Sequence, residues 1–327
     1  MTLHESAVVV AADEGFAIGL AVAMHSALRT LDPVCRPSVY VLDNGLSDGS
    51  RARVRGIAHR LGRGGDLRFV EINPERFEGV QMPHHLPAAS FSRLLIPELV
   101  DPGTERVVYL DSDLLVRGDL SPLFRLDLGG AAIAGVRDFL VRSFDPETLA
   151  LSRQESEYPR PYFNAGVLVI DVAAWLRAGI GEQALGQAAE RFLDWGDQDA
   201  LNLVVDRWHT LDDRWNTQTG AIQLAKRRLV TDRPGYKRER ERYKTAAIWH
   251  FVGLDGKPWE PRCETLGTVQ WALAFRRSGW LTRVAAAKWL VKWSAARATG
   301  WPAIAVRRWR ARLTAFRRAS GRLSLRR

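Results

Sequence analysis

Val107-Val108-Tyr109-Leu110-Asp111-Ser112-Asp113 runs four apolar residues straight into a pair of carboxylates. The apolar run fits a buried strand. A strand ending this way carries its last residues to the carboxyl edge of a sheet, where open α/β sheets bind ligands. Residues i and i+2 of an extended chain point the same way, so Asp111 and Asp113 share a side. Paired hard oxygens suit Mg2+ or Mn2+, and either ion can neutralise a diphosphate. The pattern alone does not assign a metal, because 21 aspartates in 327 residues produce one Asp-x-Asp by chance, and Asp197-Gln198-Asp199 is a second.

Further apolar runs surround this segment. Strands are expected at 7–12, 38–42, 67–72, 131–136, 166–170 and 246–251, and helices at 16–31, 48–61, 92–99, 172–195 and 197–208. Alternating strands and helices, with strands apolar almost throughout, predict an α/β chain with a parallel sheet covered on both faces. The polar stretch 138–161 reads as a loop, and 226–244, dense in Arg and Lys around Pro234-Gly235, reads as an exposed one. From Leu266 the chain reads helical, broken at Gly279, Gly300 and Pro302.

A hydrophobic share of 46% is ample for a core. Cys35 and Cys263 have no nearby partner, so neither a disulfide framework nor a structural zinc is expected, and a reducing compartment fits. No uncharged apolar run reaches the roughly 18 residues of a membrane span, and the start lacks a basic leader. A cytoplasmic protein is expected. The net charge of +10 is uneven: 265–327 hold 15 Lys or Arg and no acid, which leaves 1–264 with a net of −5. A catalytic body over 1–264 and a basic, helical, Trp-rich tail over 265–327 follow. Trp271, Trp280, Trp289 and Trp293 are expected to pack on the body. In 303–327, Val306, Trp309, Leu313 and Phe316 share one helical face, with Arg307, Arg308, Arg310, Arg312, Arg317 and Arg318 on the flanks and back. That segment predicts peripheral docking on the anionic inner face of the plasma membrane. No nucleic-acid motif accompanies the charge, so nucleic acid is not expected as a partner.

Three other places could carry chemistry. His250, in Trp249-His250-Phe251-Val252-Gly253 before Lys257-Pro258-Trp259, is either a packed imidazole or a third metal ligand, with Gly253 and Lys257 then reaching a phosphate. Asn164-Ala165-Gly166 is either a turn or a place where a ligand approaches backbone. Asp197-Gln198-Asp199 either caps a helix or faces a sugar. No GxGxxG follows the first strand, and no P-loop or GxSxG pattern is present in the sequence.

Seven pieces in register resemble retaining glycosyltransferase family 8, which includes bacterial lipopolysaccharide galactosyl- and glucosyltransferases and glycogenin. They are Ala11-Ala12-Asp13-Glu14, Ser92-Arg93-Leu94, Tyr109 to Asp113, Phe163-Asn164-Ala165-Gly166-Val167, Asp197-Gln198-Asp199-Ala200-Leu201-Asn202, Trp215-Asn216, and His250 with Gly253 and Lys257-Pro258-Trp259, together covering about 6–260. The resemblance implies a GT-A fold, a Rossmann-like mixed sheet flanked by helices. It implies Mn2+, with Mg2+ as the alternative, on Asp111, Asp113 and His250. Ala11, Asp13 and Ser112 would meet the nucleotide, Phe16 would stack on the uracil, and Gly253 and Lys257 would hold the diphosphate. Arg93, Asn164, Ala165, Asp197 and Gln198 would line the donor sugar. Gln198, Asp199 and Asp197 are the catalytic candidates, and a same-face route is favoured because an amide is a poor nucleophile. The implied reaction moves glucose or galactose from a UDP-sugar to a cell-surface glycan or lipid-linked acceptor. The alternative is a catalytically weak nucleotide-sugar-binding module. Two departures stand out: the spacing is HxxGxxxKPW where the family commonly shows HxxGxxKPW, and Gly15 stands where relatives often carry a polar residue.

Overall fold

The computed structural model describes residues 5–81, 83, 88–154, 157–228, 232–252, 256–260, 263 and 265–296. Its strands, in chain order, are β1 (Ser6–Ala12), β2 (Ser38–Asp43), β3 (Leu67–Glu71), β4 (Arg106–Leu110), β5 (Leu114–Val116), β6 (Ile133–Arg137), β7 (Ser143–Phe144), β8 (Leu151–Ser152), β9 (Arg160–Pro161), β10 (Phe163–Asp171), β11 (His209–Thr210), β12 (Thr217–Gln218) and β13 (Ile248–His250). Seven of them form one sheet in the order β11-β6-β10-β4-β1-β2-β3. Alternate residues enter two cores. Val8, Val10, Val108 and Leu110 face one, and Ala7, Val9, Val107 and Tyr109 face the other. This two-sided burial explains why the strands are apolar throughout.

The sheet is mixed, not wholly parallel. β10 runs antiparallel to β4 and to β6, with Val167 opposite Leu110. That reversal places the start of β10 beside the end of β4, so Asp111 N–H donates to Gly166 O at 2.8 Å. A second sheet, β12-β13-β5, pairs His250 with Leu114. Strand pairing of this kind brings together residues separated by about 140 positions.

Several boundaries differ from expectation. The basic stretch 226–244 is not a loop. It contains the end of helix Thr219–Arg227 and most of helix Arg233–Thr245. Asp232 caps the second helix by accepting from Gly235 N–H at 2.8 Å, and Pro234 sits in the first turn, where its missing N–H costs nothing. Arg, Lys and Glu are good helix formers, so charge density alone does not mark a loop. The helix expected at 172–195 is two, Val172–Arg177 and Ile180–Glu190, broken where Gly179 takes φ +61°. Within 138–161, β7, β8 and β9 form a small sheet.

Residues 265–296 pack on the body, as their tryptophans predict. Helix Thr268–Ser278 lies against helix Ala17–Thr30, and Trp271 and Phe275 enter the core. Ring contacts run Trp259–Trp271–Phe275–Trp289–Trp293 at centroid distances of 5.6, 5.7, 4.8 and 5.8 Å. Residues 303–327, expected as the membrane helix, lie outside the described residues.

Candidate active site

The two ends identified above meet in a three-residue cluster. Carboxylate oxygens of Asp111 and Asp113 and a ring nitrogen of His250 all lie within 4.8 Å of one another. Asp111 and Asp113 follow β4, and His250 ends β13. His250 Nε2 is 3.2 Å from Asp113 Oδ1 and 3.6 Å from Asp111 Oδ2. Lys257 Nζ donates to Asp113 Oδ2 at 2.5 Å. Burial pushes the Asp113 carboxyl up, but the Lys257 ammonium and the His250 ring outweigh burial and hold it well below the usual range. Two hard oxygens and one imidazole nitrogen, converging from different elements, are a donor set that fits Mn2+ or Mg2+.

Two glycines make room for the cluster. A Cβ on Gly166 would lie 2.2 Å from His250 Cε1 and 2.7 Å from Asp111 Oδ2. A Cβ on Gly19 would lie 2.5 Å from Ser112 O and 2.7 Å from the Trp259 ring. The first helix therefore closes directly on the carboxylate loop and on Trp259.

Arg93 organises the next layer. Its Nη2 is 3.0 Å from Asp111 Oδ1, its Nε 2.8 Å from Asp197 Oδ2, and its Nη1 donates to Ala165 O at 2.6 Å. Tyr109 lies under the guanidinium at 4.9 Å and donates its hydroxyl to Asp111 Oδ1 at 2.7 Å. Burial alone would lower the Arg93 pKa, yet Asp111 and Asp197 together raise it, so the guanidinium stays charged. Asp197 is pushed up to about 6 by burial, which Arg93 only partly offsets. Its charge therefore changes near neutral pH.

Asn164 and Gln198 are locked to each other. Gln198 Oε1 accepts from Ala165 N–H at 2.9 Å and from Asn164 Nδ2 at 3.0 Å. Asn164 Nδ2 also donates to Asp138 Oδ2 at 3.0 Å. Asp199 is turned to other work. One carboxylate oxygen accepts from the Tyr162 hydroxyl and the other from Trp195 N–H at 2.8 Å. It belongs to a wall built with Phe144, Leu151 and Tyr162 and is not brought to the Asp111–Asp113–His250 cluster.

Among the residues expected to meet the nucleotide, Ser112 Oγ donates to Ala11 O. Asp13 accepts from Phe16 N–H at 3.0 Å, capping the turn Glu14–Phe16. Phe16 meets Trp259 edge-on at 5.4 Å, and Lys257 Nζ lies 5.9 Å from the Phe16 ring centre. Gly253 lies outside the described residues, while Gly256 is described and takes φ +80°. A glycine in that conformation is where a one-residue-longer loop can turn at little cost.

Sequence reading assigned no role to Asp138, Tyr109, Tyr162 or Gly19. Asp138 had a usable signal. It directly follows β6, which runs in the direction of β4, so a carboxylate after that strand reaches the same edge. Asn216 stood in a quoted motif without a role; its Oδ1 lies 2.9 Å from His250 Nδ1.

Comparison with known proteins agrees with this geometry. The sequence profile of glycosyl transferase family 8 matches residues 7–263. General stress protein A of Bacillus subtilis is 30% identical over 258 residues, covering 77% of this chain and 86% of its own length. Lipopolysaccharide 1,2-glucosyltransferase of Escherichia coli is 25% identical over 253 residues, covering 74% and 69%. The crystal structure of the galactosyltransferase LgtC with donor and acceptor sugar analogs superposes with a TM-score of 0.66 at 29% identity, covering 83% of this chain and 95% of that one. The mixed sheet, the carboxylate pair at its edge and the matched span lead to one conclusion: the chain belongs to glycosyl transferase family 8 and has the GT-A fold.

Proposed function

We propose that the chain is a retaining, metal-dependent hexosyltransferase that moves glucose or galactose from a UDP-sugar to a cell-surface glycan or lipid-linked acceptor. The observation that carries this is the convergence of Asp111, Asp113 and His250 beside the buried Arg93–Asp197 pair. A divalent ion held by Asp111, Asp113 and His250 would supply positive charge to the diphosphate as it departs. Lys257, already beside Asp113, is within reach to add its ammonium to the same phosphates. Arg93, Asp197, Asn164 and Gln198 would orient the sugar through hydroxyl hydrogen bonds. In the same-face route the anomeric C–O bond breaks and the phosphate oxygen keeps the electron pair. The acceptor hydroxyl then attacks from that side and passes its proton to that oxygen. With both Asp199 oxygens occupied and Gln198 an amide, the side chains favour this route over a covalent intermediate.

The test is UDP release across a panel of UDP-sugars, with and without Mn2+. Slow hydrolysis of one UDP-hexose that stops when metal is chelated is the expected result. Metal-dependent UDP binding without release would favour the weak binding module, which the longer Gly253–Lys257 spacing supports. Neither release nor metal-dependent binding would overturn both.

The proposal includes docking on an anionic membrane from the cytoplasmic side, chiefly through 303–327. Described residues before that segment support it. Val269, Leu273, Val284 and Val291 are 56%, 40%, 65% and 69% exposed on the outer side of helices whose tryptophans point inward. Arg276, Arg277, Arg283, Lys288 and Lys292 accompany them with no acid after Glu264, and a groove of about 470 Å³ beside them is lined by Arg29, Arg117 and Arg277. Among the described residues, no helix is long and apolar enough to cross a membrane. Each basic side chain near an anionic surface contributes about 1 kcal/mol. Deleting 303–327 is expected to cut recovery on phosphatidylglycerol vesicles at least tenfold while transfer to a soluble acceptor survives. Unchanged recovery would rule that segment out as the anchor.

A further inference from the structure

We propose that Asn216 is a positioning residue that fixes which nitrogen of His250 is free to bind the metal. The inference rests on the metal reading above and concerns a hydrogen-bond chain that starts at two backbone amides. Gly166 N–H donates to Asn164 Oδ1 at 3.1 Å, so that atom must be the amide oxygen. The other end of Asn164, its NH2 group, donates to Asp138 Oδ2 at 3.0 Å. Ala165 N–H sets the Gln198 amide in the same way, at 2.9 Å, and Gln198 Oε1 then takes the second Asn164 proton. Asn164 therefore has one orientation.

That orientation propagates. Asn164 Oδ1 faces Asn216 at 2.8 Å, so Asn216 must present its NH2 group there. Its oxygen is left facing His250 Nδ1 at 2.9 Å, and only a protonated Nδ1 satisfies it. Of the two neutral tautomers of His250, the chain admits the one with hydrogen on Nδ1 and a bare lone pair on Nε2. Nε2 is the nitrogen that faces Asp113 and Asp111. Asn164, Asn216 and His250 are 4%, 1% and 3% exposed, so water does not compete for these bonds. The carboxyl end of the relay, Asp138, lies two hydrogen-bonded residues away from the ring it orients.

Two measurements test this. In metal-free wild type, nitrogen NMR of labelled histidine, assigned by difference against His250→Gln, should show hydrogen on His250 Nδ1, whether or not Nε2, which then faces the Asp113 carboxylate, also carries one; a ring with hydrogen on Nε2 alone would overturn the proposal whatever the variants do. Mn2+ affinity in the presence of UDP should fall about 10- to 100-fold in Asn216→Leu, the usual cost of losing a partner that orients a metal-binding histidine. Asn216→Asp keeps an acceptor toward Nδ1 but sets a carboxylate oxygen against Asn164 Oδ1, so its affinity should fall clearly less than that of Asn216→Leu. If Asn216→Leu binds Mn2+ normally, or Asn216→Asp is as weak as Asn216→Leu, the positioning role is wrong. If wild type itself binds no Mn2+, it is the metal reading that falls, while the NMR result still decides the tautomer.

Discussion

Asp113→Asn should lower UDP-sugar turnover about a thousandfold, because charge stabilisation by a bound metal is worth several kcal/mol and each 1.36 kcal/mol is tenfold in rate. The substitution keeps the size of the side chain and removes its charge. Asp113 is the better choice than Asp111 for this test. Asp113 is the deeper carboxylate, with a side chain 7% exposed against 21%, and it faces both His250 and Lys257. Asp111 is additionally tied to Arg93 and Tyr109, so changing it would disturb the Arg93–Asp197 pair as well. The fold should tolerate Asp113→Asn. Removing one partner of a fully buried ion pair costs about 3–5 kcal/mol, but the Lys257 side chain is 29% exposed and can turn to solvent. A second readout separates metal loss from general damage. Saturating Mn2+ at a hundred times its Kd should stabilise wild type by about 2.7 kcal/mol, and that gain should vanish in the variant. Wild-type turnover in Asp113→Asn would mean that the cluster does not hold the catalytic metal.

How much of this was legible beforehand differs along the chain. β1, β2 and β4 were readable because each is buried on both faces, which forces a continuous apolar run, and the turn to Asp111 and Asp113 shows as an abrupt change of polarity. The direction of β10 was not readable. A buried strand looks the same whichever way it runs, and the connection that reverses it passes through two-residue strands too short to show a period. The helix Arg233–Thr245 was hidden for the opposite reason: eight of its thirteen residues are charged, so it has almost no apolar face to detect. In the site, residue types that coordinate metals stood out, while those that orient them did not. Asn216 and Asp138 act through hydrogen bonds that span 34 and 26 positions of chain. Nothing local in the sequence marks such a bond. Asp199 shows the converse. It stands two residues from Asp197 and resembles it in sequence, but the helix that begins at Asp197 turns the two side chains to different sides. One meets Arg93, and the other meets Tyr162.

Gly166→Ala tests how tightly the cluster is built, and it should cost about a hundredfold in activity. Gly166 is not in the left-handed region, so its backbone is one that any residue could adopt. Space is the only objection. The new methyl would sit 2.2 Å from His250 Cε1, 2.9 Å from His250 Nδ1 and 2.7 Å from Asp111 Oδ2. Those neighbours cannot yield cheaply. His250 is held by β5 through its backbone and by Asn216 through its ring, and Asp111 is held by Tyr109 and Arg93. Relief therefore requires moving the ring or β10 by something near an ångström, and a misplacement of that size near reacting groups costs about a hundredfold. Overpacking a buried site adds about 1–3 kcal/mol of instability. Gly186→Ala is the control. Gly186 lies in helix Ile180–Glu190 with nothing within 4 Å of the added carbon, so alanine there should be neutral or stabilise by up to about 1 kcal/mol. Thermal melting and UDP release on both variants separate the outcomes. A Gly166→Ala protein with wild-type turnover would show that His250 can move without consequence and is not a ligand, whereas lost turnover in a protein that still melts within a few degrees of wild type would place the damage at the cluster itself.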